Sequence, residues 1–171
     1  MDLVSYIRDV PDFPKPGITF KDITPLLASP DAFREVIARL AEPFGEAGIT
    51  RVAAIESRGF IFGGALAERL GCGFVPIRKP GKLPWTTHSQ EYTLEYGTDV
   101  LEIHSDAMGP GDRVLLVDDV LATGGTAAAA AALLSLFRVH VAGFAVVIEL
   151  QFLGGRSRLS HLQVESLIRY S

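Results

Sequence analysis

Apolar and polar positions follow two rhythms along this chain, and the switches between them mark its elements. From Asp31 to about Ala47, the residues Phe33, Val36, Ile37, Leu40 and Phe44 recur at helical spacing and predict an amphipathic helix. Ser29 or Asp31 is placed to cap it, with Pro30 near the first turn. RVAAIES reads as an apolar strand ending in charge, residues 60–70 as a helix, and GFVPI as a second strand. Residues 80–90 read as a polar loop. EYTLEY and DVLEIH, separated by Gly97 and Thr98, read as a hairpin. RVLLV is a further strand, residues 124–137 a helix opening on an alanine run, and HVAGFAVVIEL another strand. Residues 2–8 predict a short helix, and PDFPKPGITFKDITPLL an irregular, proline-rich segment.

Strands that alternate with helices, and that are near-continuous apolar runs, predict an α/β fold with a mostly parallel sheet covered on both faces. In such sheets ligands bind beyond the carboxyl ends of the strands. Three segments follow strands and so draw attention: ESRGF, RKPGK and DDVLATGGT.

Composition narrows the class. The 171 residues are 48% hydrophobic and 21% charged, which suits one soluble globular domain; no linker or repeat breaks the chain. No apolar run reaches the roughly 18 to 20 residues of a membrane helix, and the first residues lack the basic-then-apolar order of a signal peptide. The single cysteine, Cys72, makes no internal disulfide, and a cytoplasmic location is expected. A net charge of −4 argues against broad nucleic-acid binding but not against a small anionic ligand. Arg78, Lys79 and Lys82 cluster in one short loop that would attract phosphate. Other motifs fail. His88, His104, His140 and His161 show no metal-ligand spacing, GCGFVP lacks the last glycine of a dinucleotide fingerprint, and PGKL is not a phosphate-binding Walker loop.

The segment VLLVDDVLATGGT carries the strongest chemistry. Adjacent carboxylates Asp118 and Asp119 in extended chain point opposite ways, so they serve different tasks. Carboxylates there accept hydrogen bonds from sugar hydroxyls and help hold a hydrated divalent cation. The loop that follows, Ala122, Thr123, Gly124, Gly125 and Thr126, enters a helix. Its backbone N–H groups, its hydroxyls and the helix N-terminus make a phosphate cradle without a lysine. Sugar on the acids and phosphate in the loop describe a ribose 5-phosphate site.

This string resembles the phosphoribosyl pyrophosphate motif of the type I phosphoribosyltransferases. The segments DFPKPGITFKDITPLL, IESRGFIFG, RKPGKLP and EYTLEYGTDVLEIH resemble the adenine-using branch of that family, in order and over nearly the whole chain. The resemblance implies the family's fold, with an N-terminal base-binding hood over about residues 1–30 and a flexible catalytic loop and hairpin over about residues 78–104. It implies conversion of adenine and 5-phosphoribosyl 1-pyrophosphate to AMP and pyrophosphate, with Mg2+ held mainly through the substrate and through water from Asp118 and Asp119. A homodimer is implied too, with the segment after ESRGF near the interface.

Roles for residues follow from the same resemblance. Asp118 and Asp119 contact the ribose hydroxyls, and residues 122–126 hold the 5-phosphate. Glu56, Ser57, Arg58, Lys79 and Lys82 form the pyrophosphate site, with an unusual cis or strained Glu56–Ser57 peptide. Arg58, Lys82 and Glu95 are the catalytic candidates, Glu95 as proton donor or hydrogen-bond partner at the imidazole edge of adenine. Phe20 stacks on the base, the backbone around Ile18, Thr19 and Lys21 reads its edge, and Tyr96 accompanies Glu95. Trp85 and His88 depart from the expected lid and are read as lid packing. Transfer to hypoxanthine or guanine shares the donor site, but GITFKDI and LEYG argue against it. A non-catalytic regulator that binds the same donor would be expected to carry a basic face or DNA-binding module, which the sequence lacks.

Overall fold

The computed structural model describes residues 1–94 and 96–171. A five-stranded parallel sheet forms its centre, in the order β4-β3-β7-β8-β9. β3 is Arg51–Ile55, β4 Gly73–Ile77, β7 Arg113–Leu121, β8 His140–Leu150 and β9 Val164–Tyr170. The three central strands are almost wholly buried, which explains their unbroken apolar sequences.

Each face of the sheet has its own core. On one, α2 (Pro30–Ala41) and α3 (Arg58–Leu70) pack Val36, Leu40, Phe62 and Leu66 against Val52, Leu115 and Val117. On the other, α4 (Gly125–Ser135) packs Ala130, Leu133 and Leu134 against Leu116, Phe144 and Val146. Ser29 caps α2, its Oγ accepting from the Ala32 amide at 3.3 Å, while Pro30 occupies the first turn.

Several elements differ from the sequence expectation. Residues 2–8 form only a 3-10 turn at Val4–Tyr6, after which β1 (Arg8–Val10) pairs antiparallel with β2 (Phe20–Asp22). The proline-rich segment therefore contains a strand, and it ends in a short helix, α1 (Thr24–Ala28). The polar loop at residues 80–90 stops early. β5 begins at Thr87, runs to Thr93 and pairs with β6 (Thr98–His104) over seven residues. β7 continues through both acids to Leu121 rather than ending at Val117. The C-terminal segment, for which the sequence pattern predicts no element, contributes the edge strand β9.

Candidate active site

The site lies where the parallel strands end. β3 pairs with β7 only as far as Val117, whereas β7 continues beside β8 to Leu121. Asp118 and Asp119 thus stand past the end of β3, facing the turn that joins β3 to α3. The opening turn of α3 presses close: a Cβ on Gly59 would come within 2.9 Å of Asp118 Oδ1, so no larger residue fits without displacing that carboxylate.

A cleft of 590 Å3 opens there, within the range of small-molecule sites. It gathers residues from four regions: Ile18, Thr19, Phe20 and Lys21 of the N-terminal segment, Glu56, Ser57 and Arg58, Lys79, and β7 with its loop at Asp118, Asp119, Ala122, Thr123, Gly124 and Thr126. Of the residues expected from sequence, Lys82, Gly125 and Tyr96 are not on its wall. Lys82 stands at the rim, 3.5 Å from Glu56. Tyr96 is 82% exposed. Glu95 lies outside the described residues. Tyr92, Leu150 and Ala127 also line the cleft and were not anticipated. Tyr92 shows no motif of its own, and Leu150 comes from a strand end that reads as core.

Asp119 is buried, and its Oδ2 lies 2.6 Å from Arg58 Nε. The approach is off the hydrogen-bond axis, and Oδ2 accepts no hydrogen bond from any described residue. Arg58 also places its guanidinium 5.1 Å from the centre of the Phe20 ring, and so joins the acids to the hood. Burial raises the pKa of Asp118 well above the carboxylate range, and the neighbouring charge of Asp119 adds to the rise.

Glu56 gathers the cations rather than facing an anion itself. Its Oε1 accepts from the Lys79 amide at 2.6 Å and from Arg78 Nε at 3.3 Å, while Lys82 approaches Oε2. Burial alone would raise its pKa, but the Lys79 amide, Lys82 and Arg78 together hold it below the ordinary value. The Glu56–Ser57 peptide is cis. Lys79 donates to Asp99 of β6 and to Tyr92 Oη at 3.1 Å, which ties the basic loop to the hairpin. His88 stacks edge-on against Phe137 at 5.4 Å, and so fastens the hairpin to the end of α4. Trp85 stays 66% exposed.

In the hood, Phe20 packs edge-on against Phe13 at 5.2 Å. The Lys21 side chain pairs with Asp9 at 2.7 Å and lies over Tyr170, leaving its backbone as its contribution to the cleft wall. At the opposite end, Gly124 caps α4 with φ of +83°, a conformation glycine adopts without steric cost. The eleven-residue helix behind it directs its positive end at the loop. Among the described residues, no three His, Cys, Asp or Glu side chains cluster as a metal-binding group, and no helix is long and apolar enough to cross a membrane.

Comparison with known proteins agrees with this geometry. The phosphoribosyl transferase domain family matches residues 22–161. An adenine phosphoribosyltransferase of Acaryochloris marina is 59% identical over 170 residues, covering 99% of this chain and all of the relative. The crystal structure of adenine phosphoribosyltransferase from Thermoanaerobacter pseudethanolicus superposes with a TM-score of 0.95 at 51% identity, over 99% of this chain and 98% of that one. The Saccharomyces cerevisiae enzyme, crystallised with an imino-altritol bisphosphate and adenine, gives 0.92 at 42% identity, covering 97% of this chain and 96% of that chain. Similarity of this strength, end to end and in both sequence and backbone, settles the matter of kinship: the chain belongs to the adenine phosphoribosyltransferases.

Proposed function

We propose that the cleft transfers the phosphoribosyl group of 5-phosphoribosyl 1-pyrophosphate to adenine, giving AMP and pyrophosphate. The observation that carries this reading is the convergence in one cleft of a phosphate loop, two acids, the Arg58 and Lys79 cations and an aromatic hood. The 5-phosphate sits against residues 122–126 and the N-terminus of α4, and the ribose hydroxyls face Asp118 and Asp119. Adenine stacks at Phe20, with its edge read by the backbone around Ile18, Thr19 and Lys21. Pyrophosphate lies toward Ser57, Arg58, Lys79 and Lys82. Glu56 serves this subsite indirectly, by holding the cations in place. The C1′–oxygen bond to pyrophosphate breaks, adenine N9 bonds to C1′, and the imidazole proton that the base loses passes to the departing pyrophosphate or to water, with Glu95 as hydrogen-bond partner at that edge. Closure of the loop and hairpin excludes water from the cation-like sugar.

The acids fit a hydrated hard cation reached through water, because both carboxylates line the cleft and Asp119 Oδ2, though beside Arg58 at 2.6 Å, accepts no hydrogen bond among the described residues. Mg2+, bound mainly through the substrate and reached through water from Asp118 and Asp119, would supply neutralising charge to the departing pyrophosphate. A cytoplasmic homodimer belongs to the same reading, and the exposed Ile61 of α3 and Phe74 of β4 offer apolar surface for it.

Purified protein given phosphoribosyl pyrophosphate, Mg2+ and adenine, hypoxanthine, guanine or xanthine in turn is expected to make AMP from adenine. Chelation should lower that rate and added Mg2+ restore it. No AMP from adenine would overturn the assignment. Glu95→Gln is expected to lower kcat about tenfold while leaving KM for phosphoribosyl pyrophosphate unchanged, the loss of one charge-assisted hydrogen bond. Unchanged turnover would remove Glu95 from the chemistry.

A further inference from the structure

Behind the phosphate loop, an ion pair between a buried glutamate and a half-exposed arginine has no place in the reaction as described. Glu149, on β8, is 3% exposed. Arg156 grips it with both arms of the guanidinium, Nε to Oε1 at 2.9 Å and Nη2 to Oε2 at 2.6 Å. The Ser166 hydroxyl of β9 donates to Oε2 at 2.6 Å, and Arg156 Nη1 donates to the Val164 carbonyl at 2.9 Å. Arg169 approaches the same carboxylate at 3.7 Å. One guanidinium therefore ties the end of β8, the turn after it and β9 together. The pair lowers the Glu149 pKa, chiefly through the Arg156 hydrogen bonds.

The residue just before Arg156 explains what the tie is for. Gly155 is buried, and its backbone is pushed up against the underside of the phosphate loop. A Cβ on Gly155 would collide with the Ala122 carbonyl and come within 2.8 Å of the Gly124 amide nitrogen and 3.0 Å of the Thr123 carbonyl carbon. Seen from the other side, a Cβ on Gly124 would meet Gly155 Cα at 3.0 Å. The two glycines let two backbones touch, so the height of the loop is set by the position of Gly155. Arg156, anchored to Glu149 and to the Val164 carbonyl, is the next residue along the chain.

We infer that Glu149 and Arg156 are positioning residues for the 5-phosphate site: their ion pair clamps Gly155 as the floor of the loop at residues 122–126. The inference rests on the reading of that loop as the phosphate cradle. A cradle built from backbone N–H groups recognises its ligand by geometry, and small displacements of such a site weaken binding steeply. Neither side chain lines the cleft.

The test separates support of the loop from the electric field of the charges. Binding of ribose 5-phosphate is measured by calorimetry, and KM for each substrate by steady-state kinetics. Arg156→Ala should weaken ribose 5-phosphate binding and raise KM for phosphoribosyl pyrophosphate by roughly tenfold to a hundredfold, with KM for adenine unchanged. Arg156→Lys should recover only part, since an ammonium cannot grip both oxygens. Glu149→Gln is the deciding variant. If the pair acted through its field, removing an anion would strengthen phosphate binding; as a clamp, its loss weakens it. Tighter or unchanged binding in Glu149→Gln overturns the inference. So does an equal rise of both KM values in Arg156→Ala, or the same KM pattern in Val75→Ala, a destabilising control on the opposite edge of the sheet. Should Arg156→Ala not fold, Glu149→Gln and Arg156→Lys carry the same readout. Failure of wild-type protein to make AMP would overturn the choice of adenine, whereas the calorimetry judges the clamp on its own.

Discussion

Arg58→Ala is expected to lower kcat/KM about a hundredfold for adenine and for phosphoribosyl pyrophosphate alike. The double effect follows from the two things Arg58 touches. Its Nε lies 2.6 Å from the Asp119 carboxylate, and its guanidinium lies 5.1 Å from the centre of the Phe20 ring. Charge-assisted hydrogen bonds from an arginine to an anionic ligand are worth about 1.5 to 3 kcal/mol each. The Arg58 side chain is 43% exposed, so solvent screening keeps its total effect within about that range. A loss of about 2.7 kcal/mol corresponds to a hundredfold in rate. Arg58→Lys sharpens the test. An ammonium still reaches Asp119 but lacks the plane that lies over Phe20, so the sugar donor is expected to recover more than the base. Steady-state kinetics with each substrate varied in turn measures both. A fall confined to one substrate in Arg58→Ala would mean that the arginine does not couple the two halves of the site.

The coupling through Arg58 could not be read from the linear string, because it depends on two strands ending at different heights. The acids were visible as chemistry, but RVLLV looked like the whole strand, since it is the part buried on both faces. The strand runs on through Leu121 because β8 continues to pair with it after β3 has stopped. The elements that sequence misjudged share a physical cause. The first half of β5 is polar because it pairs with β6 alone and stays largely open to solvent, so THSQ carries no strand signature, whereas EYT at its end reads as part of the hairpin and pairs with β6 as expected. β9 is an edge strand whose buried residues are only Val164 and Ile168, too sparse a pattern to stand out. β1 and β2 are three residues each, too short for periodicity. By contrast the central strands, and α2 with its Ser29 cap, announce themselves because burial and local chemistry agree. At the site, the phosphate loop and the acids were legible as one contiguous motif. The Lys79–Asp99 pair, the Arg58–Phe20 contact and the Glu149–Arg156 clamp each join distant segments and emerged only with the fold.

Asp118→Asn is expected to make the protein more stable at neutral pH and about a hundredfold less active. Burial, together with the adjacent Asp119, raises the Asp118 pKa well above 3.8. A carboxyl that holds its proton more tightly folded than unfolded favours the native state at low pH, and the advantage is lost as the pH rises through the folded value. At pH 7, above the unfolded value, the buried carboxyl is therefore a net cost of folding. Asparagine has the same shape and keeps an oxygen to accept the Asp119 amide, which now donates to Asp118 Oδ1 at 2.8 Å. It removes the like charge beside Asp119 without opening a cavity. Each 1 kcal/mol recovered should raise Tm by roughly 2 to 4 °C in a chain of this size. The gain should be largest above the raised pKa, shrink as the pH falls through it, and vanish below the unfolded value, where both states are protonated. On the proposed reading activity moves the other way, because an amide would replace the carboxyl set against the ribose hydroxyls, and charge-assisted hydrogen bonds contribute about 1.5 to 3 kcal/mol each. Thermal unfolding of both proteins from pH 4 to 8, beside kcat/KM at pH 7.5, reads out the two effects. Equal Tm values at pH 8 would show that the wild-type protein tolerates the charge on Asp118 without strain. A stabilised variant with full activity would place the sugar on Asp119 alone.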